Sequence, residues 1–518
     1  MRKAILFSLL LTSFAVSAQV PNVELIVTAP VALSESNQGT WIVRITNHNT
    51  TPTGDLTLTF QHFARYPLSG QVSLPPACAP DRFGNVECVV NVPPVAAVEL
   101  PFVVQYDRRF GYATFTAYLS SRAATAAFLF SHEYPVTTVA DSGPGSLRQA
   151  ILDINRDCSR HLEPCAPVFR IDGPVPEEGW FTIRPLSPLP EITAVSTVLD
   201  GKTQSRHTGE TNGVQGAEVM LDGSSAGPAH GLWFKGYEAQ VSNLAIGNFD
   251  GNGIESNSSL AVNAVSVGLH PSGFRAAPNA GRGIQVNGGT VSIADSFLCA
   301  NGRAGAYLTG SQVSVRGSFI GVAADGVTPL GNGASGLFFQ KQGMHWEEHG
   351  AWDNVIANNG HAGIGFTTQV IGDFGRNTFR NNGGRAIDVE MNGASLEPRI
   401  GHPGLGGIIG APVIESARYE NGVTTITGYV REHTGSIIRE ERVYLYANRA
   451  ARDGGDLIAT IVPEVESAPE PRTRRFTARL ERDLRDLYVS ASHFMHLLYN
   501  FDDPAPGTSE VSEPRLVR

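Results

Sequence analysis

The run QKQGMHWEEHGAWDN (340–354) holds the tightest cluster of side chains able to do chemistry, His345, Glu348 and His349. Two histidines flanking a glutamate at this spacing hold zinc when a helix puts both imidazoles on one face and a distant third ligand completes the shell. Gly343 and Gly350 bound the run, so it reads as a loop inserted between structural repeats, and no metal site is assigned. The same stretch carries Trp346 and Trp352. Indole rings beside acids and amides suit sugar stacking, which makes His345, Trp346 and Trp352 the candidate glycan contacts.

A second chemistry needs carboxylates. A polysaccharide lyase would want calcium-binding acids and an Arg or Lys base, and a glycoside hydrolase two carboxylates at a spacing set by its stereochemistry. The acids on repeat segments are Asp200, Asp222, Asp250, Asp295 and Asp388. Asp200 and Asp222 recur in LDG phrases 22 residues apart, a spacing that would let them stack on neighbouring coils, although Asp–Gly turns at coil corners are the better explanation. Asp222, Asp388 and the nearby Arg385 are therefore the catalytic candidates. No clustered Asp pair accompanies them, so no cofactor is assigned; calcium enters only if the chain is a lyase.

These side chains need elements to hold them. From about 136 the chain breaks into short apolar pieces separated by Gly and Asn: GNGIES, GRGIQV, RAGAYL, ASGLFF, HAGIGF and GRAIDV. Their markers, Gly253, Gly283, Gly305, Gly336, Gly363 and Ala386, lie 30, 22, 31, 27 and 23 residues apart. A minimum near 22 suits one coil of a parallel β-helix, with the excess as loop insertions; a propeller blade needs about 40 residues. Between the markers, phrases such as VSNLAIGN, DNVIANNG and RNTFRNNG put Asn at a corner, where stacked amides satisfy one another and tolerate a left-handed bend. Residues 20–134 and 410–518 instead alternate with a period of two, as strands of an N-terminal immunoglobulin-like sandwich and a C-terminal β-sandwich.

The segment DSGPGSLRQAILDIN (141–155) begins like a phosphate loop, yet no Lys lies near it and Arg148 stands where a dinucleotide fingerprint needs its third Gly. Leu147, Ala150, Ile151 and Ile154 form a helical stripe. Ser146 or Asp141 caps the helix start, and the helix is expected to cover the open end of the coil.

Three phrases carry a resemblance: Asp141–Ile151, Pro188–Thr193 with Val198–Gly201, and GSFIGVAADGVTPLGNGASGLFF (317–339). Together with the closing GTSEVSEP they resemble secreted bacterial right-handed parallel β-helix repeat proteins over about 136–518. The resemblance implies a pectin-lyase-type fold and supplies no catalytic set. In the same way WIVRITNHNTTPTGDLTLTF resembles the Ig-like repeat domain of bacterial surface proteins. The expected fold is all-β: a right-handed parallel β-helix (136–395) between the two sandwiches.

The first 18 residues, with Arg2 and Lys3 before an apolar run and Val16-Ser17-Ala18 at its end, read as a secretory signal peptide. Their removal takes the formal charge from −10 to −12, since Arg2 and Lys3 are their only charged groups. An acidic surface without a basic stripe argues against nucleic acid, and no apolar stretch is long enough for a membrane span. Export also favours disulfides, Cys78 with Cys88 and Cys158 with Cys165, leaving Cys299 as a buried thiol. The expected role is a secreted or cell-envelope binding protein directed at a polysaccharide or surface glycan. The alternative is a polysaccharide lyase or hydrolase.

Overall fold

The computed structural model describes residues 23–518 apart from 29–37, 54, 65–71, 81–85, 106–111, 120–121, 130–131, 160–163, 210–211, 213–215, 342–348, 367–371, 390–410, 432–436, 452–453, 465–472, 500–502 and 510. The signal-peptide segment, His345, Trp346 and Glu348 lie outside the described residues. Among the described residues the chain is nearly all β, 48% strand with two α-helices. It divides into two compact units, 1–132 with 162–164, and 133–161 with 165–518.

The first unit contains two antiparallel sheets, of four and five strands. Alternation builds its core: Trp41, Val43 and Ile45 of Gln38–Asn47 are fully buried while Arg44 is exposed. At the end of that strand Asn47 is buried, and its amide donates to the carbonyls of Thr51 (2.8 Å), Val92 (3.1 Å) and Pro93 (3.1 Å), closing the polar loop that follows. Cys78 and Cys88 are directly paired across antiparallel strands and disulfide-bonded.

In the second unit the helix Leu147–Asp157 buries the expected stripe of Leu147, Ala150, Ile151 and Ile154. Ser146 is its cap, accepting from the Gln149 N–H at 3.1 Å. Asp141 has another task. It holds the Arg148 guanidinium at 2.7 Å and accepts from the Leu186 N–H at 2.9 Å, while Arg148 also donates to the carbonyls of Ser187 (2.9 Å) and Pro188 (2.6 Å). Arg148, the residue that excluded a dinucleotide loop, thus ties the motif to the following PLSPLP phrase. Gly145 takes φ +79°, and a Cβ there would meet Thr137 Oγ1 at 2.3 Å, so only glycine fits the turn. The Cys158–Cys165 disulfide joins the end of the helix to the first coil strand, Cys165–Phe169.

Beyond the helix, successive strands visit three sheets in turn, nine, eight and seven strands wide. Among the described residues their ladders from Cys165–Phe169 onward are parallel, as in a β-helix. The first sheet runs through Ser196–Asp200, Glu238–Ser242, Ser259–Asn263, Thr290–Ala294, Gln312–Arg316 and His349–Trp352 to Gly372–Asp373. The sequence markers fall one above another, because Ile254, Ile284, Ala306, Leu337, Ile364 and Ile387, each just after its marker, pair in a single row. Inside, Leu260, Val291, Val313 and their neighbours form one apolar column.

The Asn corner forms as expected, with its two jobs divided between adjacent residues. Ala300, Asn358 and Asn381 adopt left-handed φ of 56°, 59° and 52°. The residues after them, Asn301, Asn359 and Asn382, join Asn279 and Asn332 in a buried ladder of side-chain bonds of 3.0, 3.0, 2.8 and 2.9 Å. Cys299 lies beside it, fully buried, its thiol pushed up to about 12 by burial. A short helix, Lys202–Thr208, was not expected. Polar and without apolar periodicity, it is held by Gln204, whose amide bridges Ile171 N–H (2.8 Å) and carbonyl (3.2 Å).

The last coil is covered by the C-terminal region, which has antiparallel sheets of three and five strands. The strand Ile437–Asn448 sends Val443 and Leu445 into a core of its own and Tyr444 and Tyr446 the other way, against Phe379 and Phe374 of the coil core. Strand alternation therefore serves two cores at once. The Tyr446 hydroxyl donates to the Gly375 carbonyl, and the Phe379 N–H to the Gly455 carbonyl at 2.9 Å.

Candidate functional site

The outer face of the first sheet carries short polar side chains in register. One row reads Gln240, Ala261, Ser292, Ser314, Gly350 and Asp373. Beside it, Thr290 pairs with Gln312, and a third row reads Ser242, Asn263, Ala294, Arg316 and Trp352. At its C-terminal end this floor deepens into a cleft of about 450 Å³, lined by Ser292, Ser314, Gly350, Trp352, Asp373 and Arg376 and roofed by Arg442 and Phe494 of the C-terminal region.

Trp352 builds one wall. A Cβ on Gly350 would lie 2.6 Å from its ring, so the indole lies across the missing side chain. Asp373 is the half-buried end of the cleft, accepting from the Tyr444 hydroxyl (2.7 Å) and the Gly375 N–H (3.1 Å), with the Arg442 guanidinium at 3.6 Å. Burial disfavours its charged form and raises its pKa above the usual carboxylate value, despite those donors and the charges of Arg442 and Arg376. Arg376 itself pairs with Asp353 at 2.8 Å.

A carboxyl with a raised pKa in the native state holds its proton to higher pH than in the unfolded chain, so the stability it contributes is present at low pH and is lost as pH rises through the native pKa. Asp373→Asn is expected to match the parent's melting temperature below the ordinary carboxylate pKa and to exceed it, by about 1–2 °C, once pH has risen past the raised native value. Paired melting curves across pH check this; a difference that does not grow with pH contradicts it.

The expected site residues are scattered. His349 belongs to a first-sheet strand and takes the inward position above Val313, buried, with its ring edge-on to Phe339 at 6.4 Å. This corrects the loop expected over 340–354: residues 349–352 continue the coil, and the second histidine of the zinc-like spacing points into the apolar interior. Trp352 is half-buried and lines the cleft.

Asp222 lies in the second sheet and Asp200 in the first, so they do not stack. Both are corner acids. Asp222 accepts from Asn248 (2.9 Å), Ser224 (3.2 Å) and Arg184 (3.0 Å); burial would raise its pKa, but these bonds outweigh it and hold the carboxyl below its usual range. Asp200 accepts from Ser242 and Asn243, each at 2.9 Å. Asp250 is exposed, and Asp295 sits at φ 49° with Arg316 at 3.8 Å. Asp388 is buried on the last third-sheet strand opposite Gly365. Arg385 donates to the Val511 carbonyl at 3.1 Å beside a small recess containing Asn382 and Glu513. Asp222 and Asp388 thus belong to different sheets at opposite ends of the coil and form no catalytic pair. Among the described residues no group of three or more His, Cys, Asp or Glu is placed to hold a metal ion, and no helix is long and apolar enough to cross a membrane.

Asp373, Arg376, Arg442 and Tyr444 escaped the sequence reading. The available signal was local: IGDFGRN repeats the corner grammar of the coils, and alternation in ERVYLYAN puts Arg442 and Tyr444 on one face.

No family model and no curated protein matches the chain. Solved structures similar to part of it include a calcium-binding mutant of Bacteroides uniformis beta-glucuronidase 2, with 7% identity, 95% of this chain and 60% of that chain covered, and a TM-score of 0.15. The crystal structure of Bacteroides uniformis beta-glucuronidase gives 7%, 94%, 60% and 0.15. The chain thus spans about 60% of the length of these structures. A TM-score of 0.15 carries no argument about fold or function.

Proposed function

We propose that this is an exported binding protein of the cell envelope or exterior, directed at a glycan, with the first-sheet face as its binding surface and the Trp352 cleft as the principal subsite. The architecture in this reading is a right-handed parallel β-helix flanked by an Ig-like sandwich and a C-terminal β-sandwich. The observation that carries it is the cleft: an indole laid along a floor of serine, threonine and glutamine side chains, repeated about every 4.8 Å. Apolar ring and short polar groups together match the two faces of a pyranose. The two disulfides suit an oxidising compartment.

A second reading, hydrolysis of the same class of ligand, is favoured by Asp373 alone, a carboxyl that lines the cleft and whose pKa burial raises.

The test is binding to an array of acidic and neutral polysaccharides, with reducing ends assayed in parallel. Trp352→Ala is expected to weaken binding at least about ten-fold, roughly 1–2 kcal/mol, without changing the melting temperature by more than a few degrees. Binding without new reducing ends fits the first reading; reducing ends lost in Asp373→Asn fit the second. No retention on any glycan overturns both.

A further inference from the structure

The third sheet has a different outer face. Its row reads Trp233, Glu255, Gln285, Tyr307 and Phe338, large where the first sheet is small. Tyr307 and Phe338 stack at 4.9 Å and 15°. Arg282 lies over the other side of this pair, its guanidinium carbon 4.4 Å from the Tyr307 centroid, and donates to Gln285 Oε1 at 2.6 Å. Arg303 leaves the same corner one coil later, its N–H bonded to the Gly281 carbonyl at 2.9 Å.

These guanidiniums differ from most others in the molecule. Among the described residues no carboxylate lies within ion-pair distance of Arg282 or Arg303, whereas Arg148, Arg156, Arg184, Arg376 and Arg380 each have one. The nearby Glu255 already accepts from the Asn252 side-chain amide at 2.9 Å. Burial and then the charge of Arg303 disfavour the charged form of Arg282, and the attraction of Glu255, which lies beyond ion-pair distance, is smaller than the repulsion from Arg303. Arg303 is exposed and Arg282 half-buried, so two neighbouring cations are held at this corner with no carboxylate paired to either among the described residues. Planar forks with unused N–H groups are the usual receptors of tetrahedral oxyanions. The Tyr307 ring fixes one fork in place.

We propose that Arg282 and Arg303 form a binding site for a dianionic oxyanion, a sulfate or phosphate group, free or esterified on a polymer. The site lies on a different sheet from the Trp352 cleft and stands independently of the glycan reading.

The test is thermal melting and titration calorimetry of the full chain with sodium sulfate and sodium phosphate, ionic strength held constant with sodium chloride. A saturable rise in melting temperature with a half-effect in the millimolar range is expected. Arg303→Gln and Arg282→Gln should each abolish it, while Trp352→Ala should leave it intact. Without added anion, Arg303→Gln should melt at or above the parent temperature, since it removes repulsion from an exposed position and nothing else. Dextran sulfate beside unsulfated dextran separates the sources: at least ten-fold tighter binding per sulfate than the inorganic ion assigns an esterified ligand, and parity assigns a free ion. The proposal is overturned if sulfate acts no better than chloride, or if both Arg variants keep the full response.

Discussion

Asn332→Ala is expected to lower the stability of the parallel coil by about 2–3 kcal/mol, read as a shift of its transition in urea followed by circular dichroism. Asn332 sits in the middle of the ladder, 2% exposed. Its Oδ1 accepts from both the N–H and the side-chain amide of Asn301, at 3.1 and 3.0 Å. Its own amide donates to the Leu298 carbonyl and to Asn359 Oδ1, each at 2.8 Å. Alanine strands only some of these partners. The Asn301 amide keeps the Val267 carbonyl (3.2 Å), and Asn359 Oδ1 keeps the Asn332 N–H (3.2 Å). The Leu298 carbonyl likewise keeps the Gly321 N–H (3.0 Å), so the Asn301 N–H is the group left buried without a replacement, at about 1–3 kcal/mol, to which the other lost ladder bonds add. Asn287→Ala, on a half-exposed amide bonded only to other side chains, should cost under about 1 kcal/mol. Equal losses at the two positions would mean that the ladder contributes no more than surface amides.

The ladder also explains what could be read in advance. Glycine markers, corner asparagines and the 147/150/151/154 stripe are local patterns, each enforced by one steric or hydrogen-bonding demand repeated every coil, so their spacing exposes the architecture. The candidate site is another matter. Trp352 was legible as an aromatic among polar residues, but its setting is not local: Gly350 makes room for the ring, Asp373 lies one coil on, and Arg442 arrives from a strand about 90 residues away. Asp222 and Asp388 misled because an acid before a glycine or inside a strand looks the same whether it caps a turn or faces a substrate. Only the partners of Asp222, Ser224 and Asn248, reveal the cap. At His349 the bounding glycines suggested an inserted loop, whereas the coil repeat continuing through Gly350 and Ala351 imposes a strand.

The end of the coil gives the other large effect. Gly375→Val is expected to destabilise the second unit by about 3 kcal/mol or more and to make it self-associate, seen as a lower melting temperature and a concentration-dependent shift on size exclusion. A Cβ on Gly375 would stand 2.1 Å from the Tyr444 ring, which is fully buried and tied by its hydroxyl to Asp373 at 2.7 Å. Neither partner can retreat without opening the contact between the C-terminal region and the last coil. The strands Gly372–Asp373, Thr378–Arg380 and Ile387–Val389 are the last in their sheets, so opening that contact bares three parallel edges and the apolar cross-section between them. Solenoids need such ends covered, and helix Leu147–Asp157 does this at the start. Tyr446→Phe supplies the graded control. It keeps the ring against Phe379 and removes only the bonds to the Gly375 carbonyl and Ser492, a loss of about 1–2 kcal/mol without self-association. If Gly375→Val instead stays monomeric with a melting temperature near that of Tyr446→Phe, then the Tyr444 side does not hold the end closed, and the cleft roofed by Arg442 owes its shape to the coil alone.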